Sequence, residues 1–244
     1  DRIRRGETLA AIGELSAGIA HEIRNCLNPI AGSVEVLQRE LQVTGENARL
    51  LELIIKESER LDNFIKELLD YARERPLKTE RVDLSALARE TVEVARRHPS
   101  MAAGKELQVE AADGVWGQVD YEQTKQVLLN LVINALEAIE GEGRVTVRVD
   151  AANGGGRRRA RPHFAPLEVH DTGAGIRAED LRQVFEPFFS TKMGGTGLGL
   201  AIANRIVERH GGAVEIESRV GVGTTLRLWL PRAERPAKTV AQAA

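Results

Sequence analysis

The feature that most constrains the fold is a pair of mostly apolar series, spaced three and four residues apart, in the first third of the chain. This spacing is typical of helices that bury one narrow stripe. Thr44–Asn47 interrupts the pattern and can cap the second helix. Two such helices predict an αα-hairpin, and their uncovered stripes favour a dimeric four-helix bundle. The two series are Leu9, Ile12, Ser16, Ile19, Ile23, Leu27, Ile30, Val34, Leu37 and Leu41, then Leu51, Ile54, Ser58, Leu61, Ile65, Leu68 and Ala72.

From residue 80 the pattern changes to alternating helices and short strands, which predicts an α/β domain. Pro76 ends the second long helix, and the expected domains are 1–76 and 80–232, followed by a disordered tail at 233–244. The expected helices are 83–98, 121–140 and 198–210. The expected strands are Leu107–Ala111, Val115–Val119, Arg144–Asp150, Leu167–His170, Ala213–Ser218 and Thr225–Leu230, with a hairpin loop over 153–159.

Charge and cysteine content exclude several classes of protein. The chain has 34 basic and 36 acidic residues among 244, a net charge of −2, which argues against binding nucleic acid or a membrane surface. The single cysteine, Cys26, fits a reducing compartment. No apolar run approaches the roughly 18 residues that span a bilayer, and no signal peptide is visible. The chain begins at Asp1 without Met, so we expect a cytoplasmic fragment from which a membrane anchor could have been removed.

His21 and Glu22 form the first candidate site. His21 stands two residues from both Ile19 and Ile23 of the buried stripe, about 200° around the helix, so its imidazole should face solvent. A solvated imidazole keeps a neutral nitrogen that can attack phosphorus, and Glu22 can accept a hydrogen bond from the other ring nitrogen. Alone, the pair is also compatible with an ordinary helix surface. A zinc site is excluded because no second histidine stands four residues on.

Asn130 and Asn134 form the second candidate, on the long helix 121–140. Residues four apart share one helix face, and both asparagines lie among Leu, Val and Ile. A carboxamide oxygen is a suitable neutral ligand for Mg²⁺. Two capped or solvent-facing amides would explain the pattern equally well.

Two glycine-containing segments are the remaining candidates. Asp171, followed by Gly173 and Gly175, can accept a hydrogen bond from an exocyclic amine while the glycines admit a flat ring, although an ordinary turn has the same pattern. Gly194–Leu200 precedes a helix and can expose backbone N–H groups to phosphate. Upstream, Phe185–Lys192 contains three of the five phenylalanines, which suggests a hydrophobic plug under a mobile lid, with Lys192 able to reach phosphate.

The order of these motifs resembles that of the sensor histidine kinase family over residues 7–230. His21-Glu22 is similar to its phosphoacceptor box, Asn130 and Asn134 to its asparagine box, and Asp171-x-Gly-x-Gly to its first glycine box. Phe185–Phe189 is similar to its phenylalanine box, Gly195-x-Gly-x-Gly to its second glycine box, and Gly221-x-Gly-Thr224 to its closing strand. The resemblance implies a dimeric helical hairpin followed by an α/β sandwich of the histidine kinase, chaperone and topoisomerase type.

The resemblance also implies roles for individual residues, with ATP and Mg²⁺ as cofactors. His21, Glu22 and Asn25 would be catalytic, and Asn134 would bind the metal. The implied partners are a second copy of the chain and the receiver domain of a response regulator, with a membrane involved only through a sensor region outside this chain. The implied ATP-binding residues are Asn130, Asn134, Asp171, Gly173, Gly175, Lys192, Gly195, Thr196, Gly197, Leu198, Gly199 and Thr224.

Asn25 and Cys26 qualify that resemblance. Asn25 lies four residues after His21, on the same face, where its amide could align a water against a phosphorylated regulator; the alternative is a plain surface amide. The family usually has proline at the position of Cys26, whereas this chain has Pro29, so the helix bend near His21 is expected to be displaced or weakened.

Two other functions remain open at this point. The related hydrolases have glutamate, a general base for water, where this chain has Asn130, and an amide cannot take that proton at neutral pH. ATP hydrolysis is therefore disfavoured. A dimeric scaffold that binds nucleotide only as a switch is the other alternative, and the presence of His21, Asn134, Asp171 and Lys192 argues against it.

Overall fold

In the computed structural model the described residues are 23, 25–41, 43–72, 75–150, 161–192 and 195–235. They fall into two units. The first comprises Asp1–Arg75 together with Ser190–Leu198, and the second comprises Pro76–Phe189 together with Gly199–Ala244. The predicted hairpin loop at 153–159 and most of the predicted tail lie outside the described residues.

The described residues of the first unit form two helices, α1 over residues 25–40 and α2 at Glu46–Ala72. Gly45 precedes α2 with φ of 69°, a left-handed conformation that glycine adopts without steric cost. Val34, Ser58 and Ile65 of the predicted stripes are buried. Other stripe residues keep large exposed fractions within this one chain, namely Ile23, Ile30, Leu37, Leu41, Ile54 and Leu61.

Where the structure describes it, the second unit forms a seven-stranded mixed sheet with helices against one face. The order is β1-β3-β7-β5-β4-β2, and β6 also pairs with β7. β2 and β4 are parallel, and every other pair is antiparallel. The strands are β1 (Glu80–Asp83), β2 (Lys105–Ala111), β3 (Trp116–Val119), β4 (Gly143–Val149), β5 (Phe164–Asp171), β6 (Ala213–Arg219) and β7 (Gly223–Ala233).

Three helices, α3 (Leu84–Ala95), α4 (Tyr121–Glu137) and α5 (Gly199–Arg209), pack against that sheet. The helices cover a mostly apolar face of the sheet. In β5, for example, every second residue is buried, namely Ala165, Leu167, Val169 and Asp171. The opposite face has charged residues that pair across strands, including Arg148 with Glu110 and Glu168. One apolar face and one charged face give the alternating pattern that predicted the strands.

Several boundaries differ from the sequence prediction. α3 begins after Asp83, whose carboxylate caps it, and α4 ends before its C-cap Ala138, so both helices are shorter than predicted. β7 runs to Ala233, one residue into the predicted tail, because Trp116 and Gly117 of β3 pair with its end. β1 was not predicted, since it has four residues, of which Val82 is buried.

The predicted phenylalanine plug is only partly correct. Phe185 is half-buried and packs against the core of the second unit. Phe188 is instead 55% exposed, and its φ of 67° is uncommon for an aromatic residue. The left-handed backbone at this position accompanies a side chain in solvent rather than in the core.

Candidate functional site

Helix α4 is fixed at its first residue by Asp120. The carboxylate of Asp120 accepts hydrogen bonds from the backbone N–H groups of Gln123 at 3.0 Å and Lys78 at 2.9 Å. Burial raises the pKa of Asp120, but these hydrogen bonds favour the ionised form and leave that pKa below its ordinary value. Asp120 is therefore a charged cap at the helix N-terminus, where negative charge is favourable.

His210 holds the same end of α4 from the far end of α5. Its Nε2 accepts a hydrogen bond from the backbone N–H of Asp120 at 2.8 Å. Its Nδ1 lies 2.7 Å from the carbonyl oxygen of Ile206, so Nδ1 donates and the buried ring is neutral. His210 thus links the two helices on which several predicted nucleotide-binding residues lie, and no sequence motif predicts it.

Asn130 and Asn134 lie on one face of α4, as predicted. Both are half-buried, and Nδ2 of Asn134 is 3.5 Å from Oδ1 of Asn130. A Cβ added to Gly199, the first residue of α5, would lie 2.8 Å from Nδ2 of Asn130. Gly199 therefore lets α5 begin directly against Asn130.

Asp171 lies at the end of β5, where it is only 5% exposed. Its Oδ1 accepts hydrogen bonds from the backbone N–H groups of Gly173 at 2.8 Å and Thr224 at 3.3 Å. Gly223 has φ of 133°, and a Cβ there would lie 1.9 Å from the carbonyl oxygen of Asp171. Only glycine allows β7 to approach Asp171 this closely, which places Thr224 beside the carboxylate.

Residues 172–176, the Asp171 segment, follow β5 and pack against two neighbours. A Cβ on Gly173 would lie 2.5 Å from the carbonyl oxygen of Ala138, the residue that ends α4. A Cβ on Gly175 would lie 2.2 Å from the carbonyl oxygen of Arg219 at the end of β6. The glycines therefore bring the Asp171 segment against both α4 and the β6–β7 hairpin.

Ser218 of β6 is a second residue that no sequence motif predicts. Its hydroxyl accepts a hydrogen bond from the backbone N–H of Ile176 at 2.8 Å and lies 2.8 Å from Oγ1 of Thr224. The signal for it is positional, because Ser218 is opposite Thr224 in the β6–β7 pairing. That register cannot be found from a motif alone.

Five predicted residues belong to the segment Ser190–Leu198 of the first unit, namely Lys192, Gly195, Thr196, Gly197 and Leu198. Lys192 is exposed, and its carbonyl oxygen accepts a hydrogen bond from Gly195 N–H at 3.2 Å. The hydroxyl of Thr196 donates to Oε2 of Glu67 in α2 and accepts from Leu198 N–H at 3.3 Å. Gly197 has φ of 69°.

The predicted catalytic residues lie at the start of the first unit. Asn25 is exposed in α1. His21 and Glu22 lie outside the described residues, so their proposed roles rest on the sequence. Asn130, Asn134 and Gly199 come together in the second unit, as do Asp171, Gly173 and Thr224.

The chain matches two family models in the order that the motifs predicted. Residues 11–76 match the His Kinase A (phospho-acceptor) domain. Residues 119–234 match the histidine kinase-, DNA gyrase B-, and HSP90-like ATPase domain. The chain also shares 30% identity with the solved catalytic domain of histidine kinase ThkA, covering 96% of that structure and 64% of this chain, with a TM-score of 0.54. The chain belongs to the sensor histidine kinase family.

Longer histidine kinases match nearly the whole chain. Sensor histidine kinase ZraS of Escherichia coli (strain K12) is 37% identical over 234 residues, which is 95% of this chain and 48% of ZraS. The chain thus spans about half the length of the curated relatives that it matches.

Solved structures of longer histidine kinases are also similar to nearly the whole chain. ThkA in complex with response regulator protein TrrA is 30% identical, with a TM-score of 0.66, over 95% of this chain and 65% of that one. Full-length ShkA in complex with AMPPNP is 27% identical, with a TM-score of 0.71, over 92% of this chain and 47% of that one.

Two further observations concern this histidine kinase chain. Within the part of the chain that the structure describes, no helix is long and apolar enough to cross a membrane. Over the same residues, no group of three or more His, Cys, Asp or Glu side chains is arranged to hold a metal ion.

Proposed function

We propose that the chain is the catalytic core of a sensor histidine kinase, which transfers the γ-phosphoryl group of ATP to His21 and then to an aspartate of a response regulator. The observation that carries this proposal is the pairing of two parts in one chain. His21 falls within the match to a phospho-acceptor domain, and buried Asp171 lies beside Thr224 within the match to an ATPase domain.

The residues that match the ATPase domain would bind the nucleotide. Asp171, held by the N–H groups of Gly173 and Thr224, would accept a hydrogen bond from the exocyclic amine of adenine. A carboxylate has about four lone-pair positions, so it can accept that bond in addition to the two from the backbone. The resemblance to the family supports two further assignments. The backbone would approach the nucleotide at Gly175, Gly195 and Gly197. The phosphates would be bound by Lys192, Thr196, Leu198 and Gly199.

Mg²⁺ fits the donor atoms that α4 offers. Asn134 is half-buried, and an amide oxygen is a hard, neutral ligand of the kind that Mg²⁺ accepts beside phosphate oxygens and water. The ion would neutralise phosphate charge. Replacing Asn134 with alanine should abolish the Mg²⁺-dependent part of ATP binding and preserve the rest. Titrations with Mg²⁺ and with EDTA that gave the variant and the parent equal affinities would remove Asn134 from the site.

A hydrolase of the gyrase or HSP90 type is the alternative within the same fold. Asn130 disfavours it, because a neutral amide cannot accept a proton from water at neutral pH. γ-Labelled ATP separates the two functions, since a kinase core puts label on the protein and a hydrolase releases it as free phosphate. Free phosphate without labelled protein would contradict the proposal, and neither product would favour a nucleotide-binding scaffold.

The first unit would supply the phosphoacceptor histidine and the surface on which the regulator docks. Glu22 would orient His21 and accept its second proton, so Glu22→Gln should reduce labelling by about 100-fold or more. Asn25→Ala should still be labelled but should fail to accelerate loss of phosphate from a phosphorylated receiver domain. Decay as fast with Asn25→Ala as with the parent, in ADP and Mg²⁺, would exclude Asn25 from this step.

Dimerisation would follow from the same helices. Leu37 and Leu53 are 46% and 52% exposed within one chain, which leaves apolar surface for a second copy to cover. Light scattering at micromolar concentration should give twice the chain mass of 26.7 kDa. A monomer under these conditions would contradict this part of the proposal.

A further inference from the structure

Asp171, Thr224 and Ser218 form one row across three strands. Asp171 of β5 is opposite Thr224 of β7, and Thr224 is opposite Ser218 of β6. Residues directly opposite in antiparallel strands lie on the same face. Asp171 and Thr224 are 5% and 6% exposed, and Ser218 is half-buried. Ser218 is therefore the outer member of a row that begins at the proposed adenine-binding carboxylate.

The hydrogen bonds of Ser218 restrict its proton to two positions. Its oxygen accepts from Ile176 N–H at 2.8 Å, and its hydroxyl lies 3.1 Å from Gly223 O and 2.8 Å from Thr224 Oγ1. A serine hydroxyl has one proton. If Ser218 donates to Gly223, the Thr224 hydroxyl donates to Ser218. If Ser218 donates to Thr224, the Thr224 proton is directed away from Ser218 and becomes available to a ligand.

Ser218 also fixes the backbone beside the carboxylate. Its bond to Ile176 joins the Asp171 segment to β6, and Gly221 N–H donates to Ala174 O at 2.8 Å in the same hairpin. Both the Asp171 segment and the Thr224 hydroxyl are therefore held by one side chain. Removing that hydroxyl leaves Ile176 N–H without this acceptor and Thr224 without this partner.

The hydrogen-bonding edge of a purine base matches the groups that Ser218 holds. Adenine presents an amine donor next to a ring-nitrogen acceptor, whereas hypoxanthine presents a carbonyl acceptor next to a ring N–H donor. Asp171 can accept from the amine, and a Thr224 hydroxyl released by Ser218 can donate to the ring nitrogen, directly or through water. We propose that Ser218 is a positioning residue that sets the preference of the site for adenine over hypoxanthine. This inference rests on the proposed function.

The test is a binding cycle with two nucleotides and the full chain. Mg·ATP and Mg·ITP share ribose and triphosphate, so their affinity ratio isolates the base. We expect the parent to favour ATP and Ser218→Ala to lower the ATP-to-ITP ratio by about five- to tenfold, because neither the Thr224 hydroxyl nor Ile176 N–H is then held in place by the serine. Ser218→Thr keeps the hydroxyl and should restore the parent ratio.

Two more variants separate positioning from general destabilisation. Ser85→Ala removes a buried hydroxyl that donates to Ala112 O at 2.5 Å in the same unit, and it should lower the melting temperature without changing the ratio. Ser218→Cys keeps the size of the side chain with weak hydrogen bonding, and it should lower the ratio as alanine does.

The outcomes also separate this inference from the proposed function. A parent that prefers ATP, with folded Ser218→Ala or Ser218→Cys giving the same ratio, would overturn the role of Ser218 and leave the kinase proposal intact. A parent that binds neither nucleotide would overturn the proposed function and this inference with it. Equal reduction of the ratio by Ser85→Ala would show that destabilisation, rather than positioning, is responsible.

Discussion

The two units differ in where their apolar side chains lie. In the second unit Leu84, Leu128 and Leu228 are each 0% exposed, so the sheet and its helices form their own core. In α1 and α2, Val34 and Ile65 are buried, but residues of the same stripe such as Leu37 remain about half exposed. The comparison indicates that the second unit is stabilised by a core within the chain, whereas the described helices of the first unit leave apolar side chains exposed, as the proposed dimer requires.

The largest expected effect concerns the core of the second unit. Leu228 of β7 is 0% exposed and is opposite both Leu167 and Val214. Leu228→Ala should lower the free energy of unfolding by about 2–5 kcal/mol, through lost burial and the cavity left behind. Both tryptophans of the chain, Trp116 and Trp229, lie in this unit, so their fluorescence in urea measures its unfolding.

Leu37→Ala is the matched change in the helical unit. Because Leu37 is 46% exposed in one chain, this variant should leave the tryptophan transition near that of the parent and weaken the dimer instead. Light scattering across a dilution series measures the second effect. Equal shifts of the tryptophan transition by Leu37→Ala and Leu228→Ala would contradict the distinction between the units.

The next effect concerns nucleotide binding in the second unit. Asp171→Asn keeps the shape of the side chain but removes a charge-assisted acceptor, which is worth about 1.5–3 kcal/mol, or roughly 10- to 150-fold in affinity for ATP. Titration calorimetry measures this loss. Asp113→Asn is the control, because the Asp113 side chain is 94% exposed and pairs with Arg89 at the surface. Parent-like ATP binding by Asp171→Asn would remove Asp171 from the site.

The smallest effect concerns the cap of α4 and depends on pH. Asp120→Ala should cost about 0.5–2 kcal/mol at neutral pH, because it removes the N-cap. Folding lowers the pKa of Asp120 from its ordinary value of 3.8. The ionised carboxylate therefore stabilises the fold fully at pH values above 3.8, and this contribution is lost as the pH falls through the lowered pKa.

Urea unfolding at pH 7 and at about pH 3 measures this dependence. The stability difference between Asp120→Ala and the parent should be largest at pH 7 and should shrink in acid. Asp113→Ala, at an exposed carboxylate, should show a much smaller difference at pH 7. A gap between Asp120→Ala and the parent that grew in acid would contradict the role assigned to the charged cap.

The sequence predicted the long elements well, because periodicity records which face of each element is buried. α4 begins at Tyr121, as predicted, and β5 includes the predicted strand Leu167–His170. β1 was missed because four residues with one buried side chain give no usable period. The family comparison confirms the class of the α/β unit.

Candidate site residues could be predicted where they stand in short motifs, and not where they depend on pairing across the fold. Asp171 and the asparagines of α4 stand in such motifs. Ser218 and His210 do not, because their importance comes from strand register and from a contact between residues 90 positions apart. Phe188 was placed wrongly because an apolar side chain near a core does not predict a left-handed backbone.

In the proposed function the two matched domains divide the reaction: residues of the ATPase domain (119–234) hold the nucleotide, and His21 of the phospho-acceptor domain (11–76) accepts the phosphate. The most direct measurement compares the parent with His21→Gln for both ATP affinity and label transferred from γ-labelled ATP. We expect His21→Gln to bind Mg·ATP within about twofold of the parent, a difference of only ~0.4 kcal/mol, and to carry no acid-labile label. Labelling of His21→Gln at the rate of the parent would contradict the claim.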